Sequence, residues 1–211
     1  LTEAQGGEVT VVTYGPDSAE AALRDCLARG AHQAVHVLGG EKTLGDSLTI
    51  AKVLAGVIKD KEFDLVLCGV KGVGTDCAQV GQMLAELLDI PHVAAITELE
   101  VADGSLTAGR DVEGGKEKVE SPLPALLTCQ KGLNEPRYAA LKGIMAAKRK
   151  PVDKVEVGSL GVEEGADPFY QVEKFELPPE KAAGTIIQGE DDAAAAAAEL
   201  VKLLREEAKA I

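Results

Sequence analysis

Phe63–Leu88 reads FDLVLCGVKGVGTDCAQVGQMLAELL, and the rest of the chain is organised around it. Asp64–Gly69 is a short apolar run, the pattern of a strand covered on both faces. Gly69, Gly72 and Gly74 follow, and then Val80, Met83, Leu84, Leu87 and Leu88 recur at helical spacing. A strand, a glycine turn and a helix in that order leave free backbone amides and a helix N-terminus at the carboxyl edge of a sheet. Orphan N–H groups and the helix dipole both favour an anion there. Gly69–Thr75 nearly spells a Walker A loop but lacks its lysine, and the G-x-G-x-x-G order fails at Cys77. The local pattern leaves nucleotide binding and a plain tight turn as open alternatives.

The 211 residues suffice for one large α/β domain with extensions. With 35 acidic against 22 basic residues the net charge is −13, which argues against nucleic-acid binding, since that needs many cations against phosphates. The longest apolar run is far short of a membrane span and no leader pattern is visible, so direct membrane insertion is not expected. Cys26, Cys68, Cys77 and Cys129 form no C-x-x-C pair. Cys26, Cys68 and Cys129 read as small core residues, Cys77 as a buried or ligand-neighbouring thiol, and the compartment as a reducing cytoplasm.

Along the chain, Leu1–Gly7 reads as the end of a helix, which suggests that a strand precedes it in the natural protein. Val9–Tyr14 is a strand, and Asp17 or Ser18 caps a helix through Ala28 that Gly30 stops. Gln33–Leu38 is a strand, Gly39–Gly45 a loop, and Ser47–Lys59 a helix on which Val53 falls off the apolar face. After the central segment and Pro91, His92–Ile96 is a further core strand. This alternation predicts a doubly wound, mostly parallel sheet. Glu98–Ala102, Leu106–Asp111 and Lys116–Ser121 alternate in period two around Asp103-Gly104 and Gly114-Gly115, which predicts a β-hairpin insertion. Pro124–Cys129 is again a buried run, and Ala139–Lys150 a helix with Leu141, Ile144 and Met145 on one face. Glu163–Pro179 is acidic and punctuated, with Phe169 and Tyr170 isolated. Asp191–Ala210 is an Ala-rich helix with no sheet to rest on, an arm suited to wrapping a partner. The division expected is a nucleotide-binding α/β domain over 1–157 and an extended C-terminal arm over 158–211.

Hydrolytic and metal chemistry is not suggested. His32, His36 and His92 have no partners at ligand spacing, and the carboxylates are scattered as solvated charge. One concentration of charge runs against the rest: Arg137, Lys142, Lys148, Arg149 and Lys150 occur with no acidic residue from Pro136 to Val152. It is either a helix end matched to the dipole or a docking surface for an acidic partner.

Leu133–Lys150, LNEPRYAALKGIMAAKRK, closely resembles the signature of the electron transfer flavoprotein beta subunit. VVTYGP at Val11–Pro16, ALRDCLARGAHQAVHV at Ala22–Val37, DLVLCG with its glycine turn, CAQVGQMLAELL at Cys77–Leu88, PALLTC at Pro124–Cys129 and GSLGV at Gly158–Val162 follow in that family's order. The resemblance implies an adenine nucleotide alpha hydrolase-like fold and a non-catalytic electron carrier subunit, paired with an alpha subunit that holds most of a shared FAD. It also implies a nucleotide in the beta subunit, AMP or, in bifurcating members, FAD in the same pocket. The implied contacts are Tyr14 and the loop Gly69, Val70, Lys71, Gly72, Val73, Gly74, Thr75, Asp76, Cys77, Ala78, Gln79, Val80, Gly81 and Gln82. Many members carry more carboxylates where this chain has Gly74-Thr75-Asp76, and only Asp76 is retained.

The family's docking loop for flavin-dependent dehydrogenases falls on Arg137, Tyr138, Ala139, Ala140, Leu141, Lys142, Gly143, Ile144, Met145 and Ala146, with Leu141 as the anchoring leucine. An acidic residue contacting the mobile flavin domain matches Asp111. The alternative is an adenylating enzyme of the ATP pyrophosphatase type. That class needs paired glycines after its first strand, where this chain has TYGPDS.

Overall fold

The structure is a computed structural model, described here for residues 1–39, 46–162, 173–180, 183–189 and 192–211. It separates into two compact units, Leu1–Glu173 and Lys174–Ile211. The first is a mixed α/β unit with parallel and mixed sheets, in keeping with the sequence reading. It opens with helix α1 (Thr2–Gln5), followed by β1 (Thr10–Gly15), α2 (Glu20–Ala28), β2 (Gln33–Leu38), α3 (Ser47–Ile58), β3 (Leu65–Gly69) and α4 (Val80–Leu88). Then come β4 (His92–Ala102), β5 (Ser105–Val112), β6 (Gly115–Pro122), β7 (Ala125–Cys129), α5 (Leu141–Ala147) and β8 (Asp153–Glu156). The second unit carries α6 (Ala193–Glu206).

The strands divide between two sheets. One is parallel, in the order β1-β2-β8; the other is mixed, in the order β3-β7-β4-β5-β6. Strands β3, β7 and β4 run parallel, and β4-β5-β6 form the predicted antiparallel insertion. Asp103 and Gly104 both have positive φ, 50° and 76°, as a two-residue hairpin turn requires. The parallel sheet is covered on both faces. Leu23, Leu27 and Ala147 pack with Ala34 on one side, and Val53, Val57 and Val157 pack with Val35 and Val37 on the other.

Helix α3 serves both sheets. Its Val53 and Val57 meet the parallel sheet, while Ala51 and Ala55 join Leu84, Ala85 and Leu126 in the core under α4. Val53 is therefore buried rather than off-face; a helix wedged between two layers buries more than one face, and α3 leaves Lys52 exposed.

Other expectations are corrected by position. β3 is an edge strand, and with Leu67 53% exposed the apolar run is not covered on both faces. His92–Ile96 and Glu98–Ala102 are one strand, bent by irregular registers at Val93/Ile96 and Ile96/Glu98 and by Ala95 at φ 57°. Neither Asp17 nor Ser18 caps α2: both lie in a 3-10 turn, Asp17–Ala19, ahead of it, and Asp17 faces Lys154 at 3.6 Å instead. The sequence pattern does not predict β8, because four residues with one half-buried valine carry almost no pattern. Cys26 is exposed, since its position on α2 points away from the sheet that Leu23 and Leu27 cover. Gly40–Gly45, Phe169 and Tyr170 lie outside the described residues, apart from the loop's first residue, Gly39.

Candidate functional site

The β3–α4 connection leaves the carboxyl end of β3 at Gly69 and reaches α4 only at Val80. Lys71–Asp76 are exposed, and Gly74 has φ 101° with open space where a Cβ would stand. Asp76 and Ala78 take left-handed φ of 51° and 50°, uncommon for residues with a Cβ. The Asp76 N–H donates to the Gly72 carbonyl at 3.0 Å, and the Lys71 ammonium lies 3.0 Å from the Asp76 carboxylate. The loop's lysine is thus paired within the loop. The Cys77 thiol donates to the Thr75 carbonyl at 3.4 Å.

Gln79 stands at the cap position of α4 without a side-chain capping bond. The Met83 N–H donates to the Gln79 carbonyl at 3.0 Å, so the amides of Val80, Gly81 and Gln82 fall outside the intrahelical ladder. The Gln82 Oε1 is buried and without a hydrogen-bond partner among the described residues. Gly81 is there for contact: a Cβ on it would stand 2.5 Å from the Thr128 Cγ2 on β7. That approach presses the N-terminus of α4 against β7, between β3 and β4 in the mixed sheet.

Tyr14 stands on the parallel sheet, opposite Val37, in the cluster under α3. Gly69–Gln82 belong to the mixed sheet. The structure therefore distributes the expected nucleotide contacts over both sheets, with α3 packed between them.

The docking candidates form a second cluster. The predicted helix over Ala139–Lys150 is shorter, α5 spanning Leu141–Ala147. Leu141 is 76% exposed, and Tyr138, Ile144 and Met145 are exposed with it. Arg137 is held twice. Its guanidinium donates to both Glu3 carboxylate oxygens at 2.7 and 2.9 Å, and its carbonyl accepts from Arg29 Nε at 3.1 Å. The Arg137 bond keeps the Glu3 carboxyl below its ordinary range and raises the guanidinium in return.

The electron transfer flavoprotein domain model matches residues 1–160. The electron transfer flavoprotein subunit beta of Bacillus subtilis strain 168 is 47% identical over all of this chain and 82% of its own length.

The chain belongs to the electron transfer flavoprotein beta subunit family.

The family's Syntrophomonas wolfei beta subunit is 38% identical over 89% of this chain and 71% of its own. A relative from Acetobacterium woodii, named as subunit CarD of a caffeyl-CoA reductase-Etf complex, is 38% identical over 89% and 73% respectively. Within this electron transfer flavoprotein chain, Asp111 sits exposed beside the outer hairpin turn, 3.8 Å from the Lys116 ammonium that also binds Glu98 at 2.8 Å. The ion pair with Lys116 lowers the Glu98 carboxyl, and Glu98 with Asp111 raises the ammonium. Burial pushes the Cys68 and Cys129 thiols up, which keeps them protonated. His32 Nδ1 accepts from the Val9 N–H at 3.0 Å, and buried His36 Nε2 lies 3.1 Å from the Gly15 carbonyl. No group of three or more His, Cys, Asp or Glu suited to a metal occurs among the described residues. No helix among them is long and apolar enough to cross a membrane.

Sequence reasoning missed the residues that hold the candidate docking segment and the end of α5: Glu3, Arg24 and Arg29. Glu3 and Arg29 contact it from 134 and 108 residues away, a separation that no local pattern reveals.

Proposed function

We propose that this chain holds a nucleotide and docks dehydrogenases within an electron transfer flavoprotein heterodimer. The nucleotide is AMP, or FAD in the same pocket, bound over Gly69–Gln82 with Tyr14 contributing. The alpha subunit holds most of a shared FAD, which carries the electrons, and this chain supplies no catalytic residue. The observation that carries the reading is the N-terminus of α4: amides with no side-chain cap, and a buried Gln82 Oε1 without a partner among the described residues, on one helical turn. The amides fit a phosphate, which the helix dipole also favours, and the carboxamide oxygen fits a hydroxyl or amino donor of the same ligand. Lys71, paired with Asp76, adds little net charge, so the backbone dominates the recognition.

The exposed segment Arg137–Ala146 docks a flavin-dependent dehydrogenase. An apolar anchor at Leu141 among cations suits a transient encounter, in which charge speeds approach and a buried leucine sets the lifetime. The name of the Acetobacterium woodii relative supports a partner that acts on a CoA thioester. Asp111 would meet the mobile flavin domain. Four unpaired cysteines suit a cytoplasmic location. The pyrophosphatase alternative draws no support from TYGPDS, which runs into the 3-10 turn Asp17–Ala19.

Co-expression with the alpha subunit of the same organism tests the reading. A yellow heterodimer with FAD is expected; a chain that stays apart from alpha, with all flavin on alpha alone, would contradict it.

A further inference from the structure

We propose that α2 is the platform that positions the docking helix, with Arg24 as its positioning residue and Gly143 as the contact that seats α5 upon it. The inference rests on the docking reading of Leu141. Helix α5 has seven residues and no side-chain cap at its N-terminus, too little to hold a helix by itself. Its fixed points come from α2. Arg24 Nη1 donates to the carbonyl of Ala147 at 2.8 Å, an orphan acceptor of the last helical turn, and to that of Lys150 at 2.6 Å, just beyond the helix. Glu20 holds that guanidinium through Nε at 3.1 Å and Nη2 at 2.9 Å.

The faces of α5 then separate. Gly143 and Ala147, one turn apart, lie against α2. Ala147 is buried with Leu23 and Leu27, and a Cβ on Gly143 would fall 2.3 Å from the Ala28 carbonyl oxygen. That oxygen is backbone, so it cannot swing aside. Leu141, Ile144 and Met145 remain exposed. The Lys150 ammonium adds a bond to the Ala31 carbonyl at 2.5 Å. The contacts that fix α5 on α2 therefore also fix how far Leu141 stands out and which way it faces.

The test uses the holo heterodimer, with an acyl-CoA dehydrogenase reduced by its acyl-CoA as the probe. KM for the dehydrogenase, kcat, and amide exchange over 137–150 are measured for Arg24→Met, Arg24→Lys, Gly143→Ala and Leu141→Ala. Arg24→Met and Gly143→Ala should each raise KM roughly tenfold with kcat within about twofold. Amides of 141–147 should exchange about tenfold faster in both. Arg24→Lys, which keeps a cationic donor, should recover most of the KM. An unchanged KM in Arg24→Met and Gly143→Ala, whatever the exchange does, overturns the inference while a raised KM in Leu141→Ala leaves docking intact. An unchanged KM in Leu141→Ala removes the docking reading, and this inference with it. If Arg24→Met fails to assemble, Gly143→Ala decides by the same criteria. Failure of both to assemble makes the contact a folding element and also overturns the inference.

Discussion

Gly81 and Thr128 are in direct contact: α4 begins so close to β7 that a Cβ at position 81 would lie 2.5 Å from the Thr128 Cγ2. Thr128 cannot turn freely to make room, because its Oγ1 accepts a 2.8 Å hydrogen bond from the Ala95 N–H, at the bend of β4. Gly81→Ala would gain about 1 kcal/mol of helix propensity at best. Overpacking against a tethered neighbour costs ~1–3 kcal/mol and wins. We expect Tm to fall by a few degrees and bound nucleotide to drop. Gly81→Ala with Thr128→Ser, which removes the clashing methyl and keeps the hydroxyl, should restore both. Calorimetry and nucleotide content check this; a stabilised single mutant would refute it.

Leu141 is 76% exposed, so Leu141→Ala should leave the melt unchanged. A core leucine would instead lose ~2–5 kcal/mol. A docking anchor loses ~2 kcal/mol or more of binding, roughly thirtyfold in affinity. Electron transfer with a dehydrogenase should slow accordingly. Lys148→Glu should slow association most at low salt, where screening is weakest. Lys148 suits that test better than Lys150, whose ammonium is committed to the Ala31 carbonyl. A large fall in Tm with normal transfer per folded molecule would return Leu141 to a structural role.

The readable parts of the fold were those with strong periodicity. Gln33–Leu38 emerged with its sequence-derived bounds, and the hairpins followed from alternation plus glycine turns. What failed was information carried by distant neighbours. Val53 reads as off-face only if α3 has a single partner, and it has two. Leu67 sits in an apolar run that reads as covered, but on the edge strand β3 it is 53% exposed. The glycine loop was legible as a loop; the orphaned Gln82 oxygen and the Thr128 contact were not, because they depend on β7 and the packing of α4. At the proposed docking segment the apolar and basic residues were visible, whereas Glu3, Arg24 and Arg29 were hidden by their distance in sequence.

Helix α6 begins on Asp192, whose carboxylate accepts from the Ala194 and Ala195 amides at 3.0 Å, and it buries none of its residues. Fourteen Ala-rich residues make only a marginal helix alone. Its exposed Leu200 and Val201 suit a partner. Deleting 192–211 should leave the melt of the remaining chain unchanged and weaken assembly with the alpha subunit. Co-elution of the shortened chain with alpha at about nanomolar concentration would exclude α6 as an assembly element.

Glu20 carries an acid-sensitive share of stability. Hydrogen bonds from Arg24, then from Lys154, hold its carboxyl below the ordinary 4.5. A carboxyl depressed on folding stabilises fully above its unfolded value, and that contribution fades as pH falls through the lower folded value. The Tm of wild type should therefore exceed that of Glu20→Gln above pH 5, and the gap should close with acidification below about 4. A gap that widens on acidification would contradict the assignment.

The central claim, a nucleotide on the β3–α4 loop, is tested most directly by what the purified heterodimer releases. Denaturing the complex and identifying the freed nucleotides by mass spectrometry should give one AMP, or one FAD beyond that of the alpha subunit, per heterodimer. Gln82→Leu, which leaves no oxygen to pair, should release less than the wild type. Recovery of a single FAD and no adenine nucleotide besides it would contradict the account.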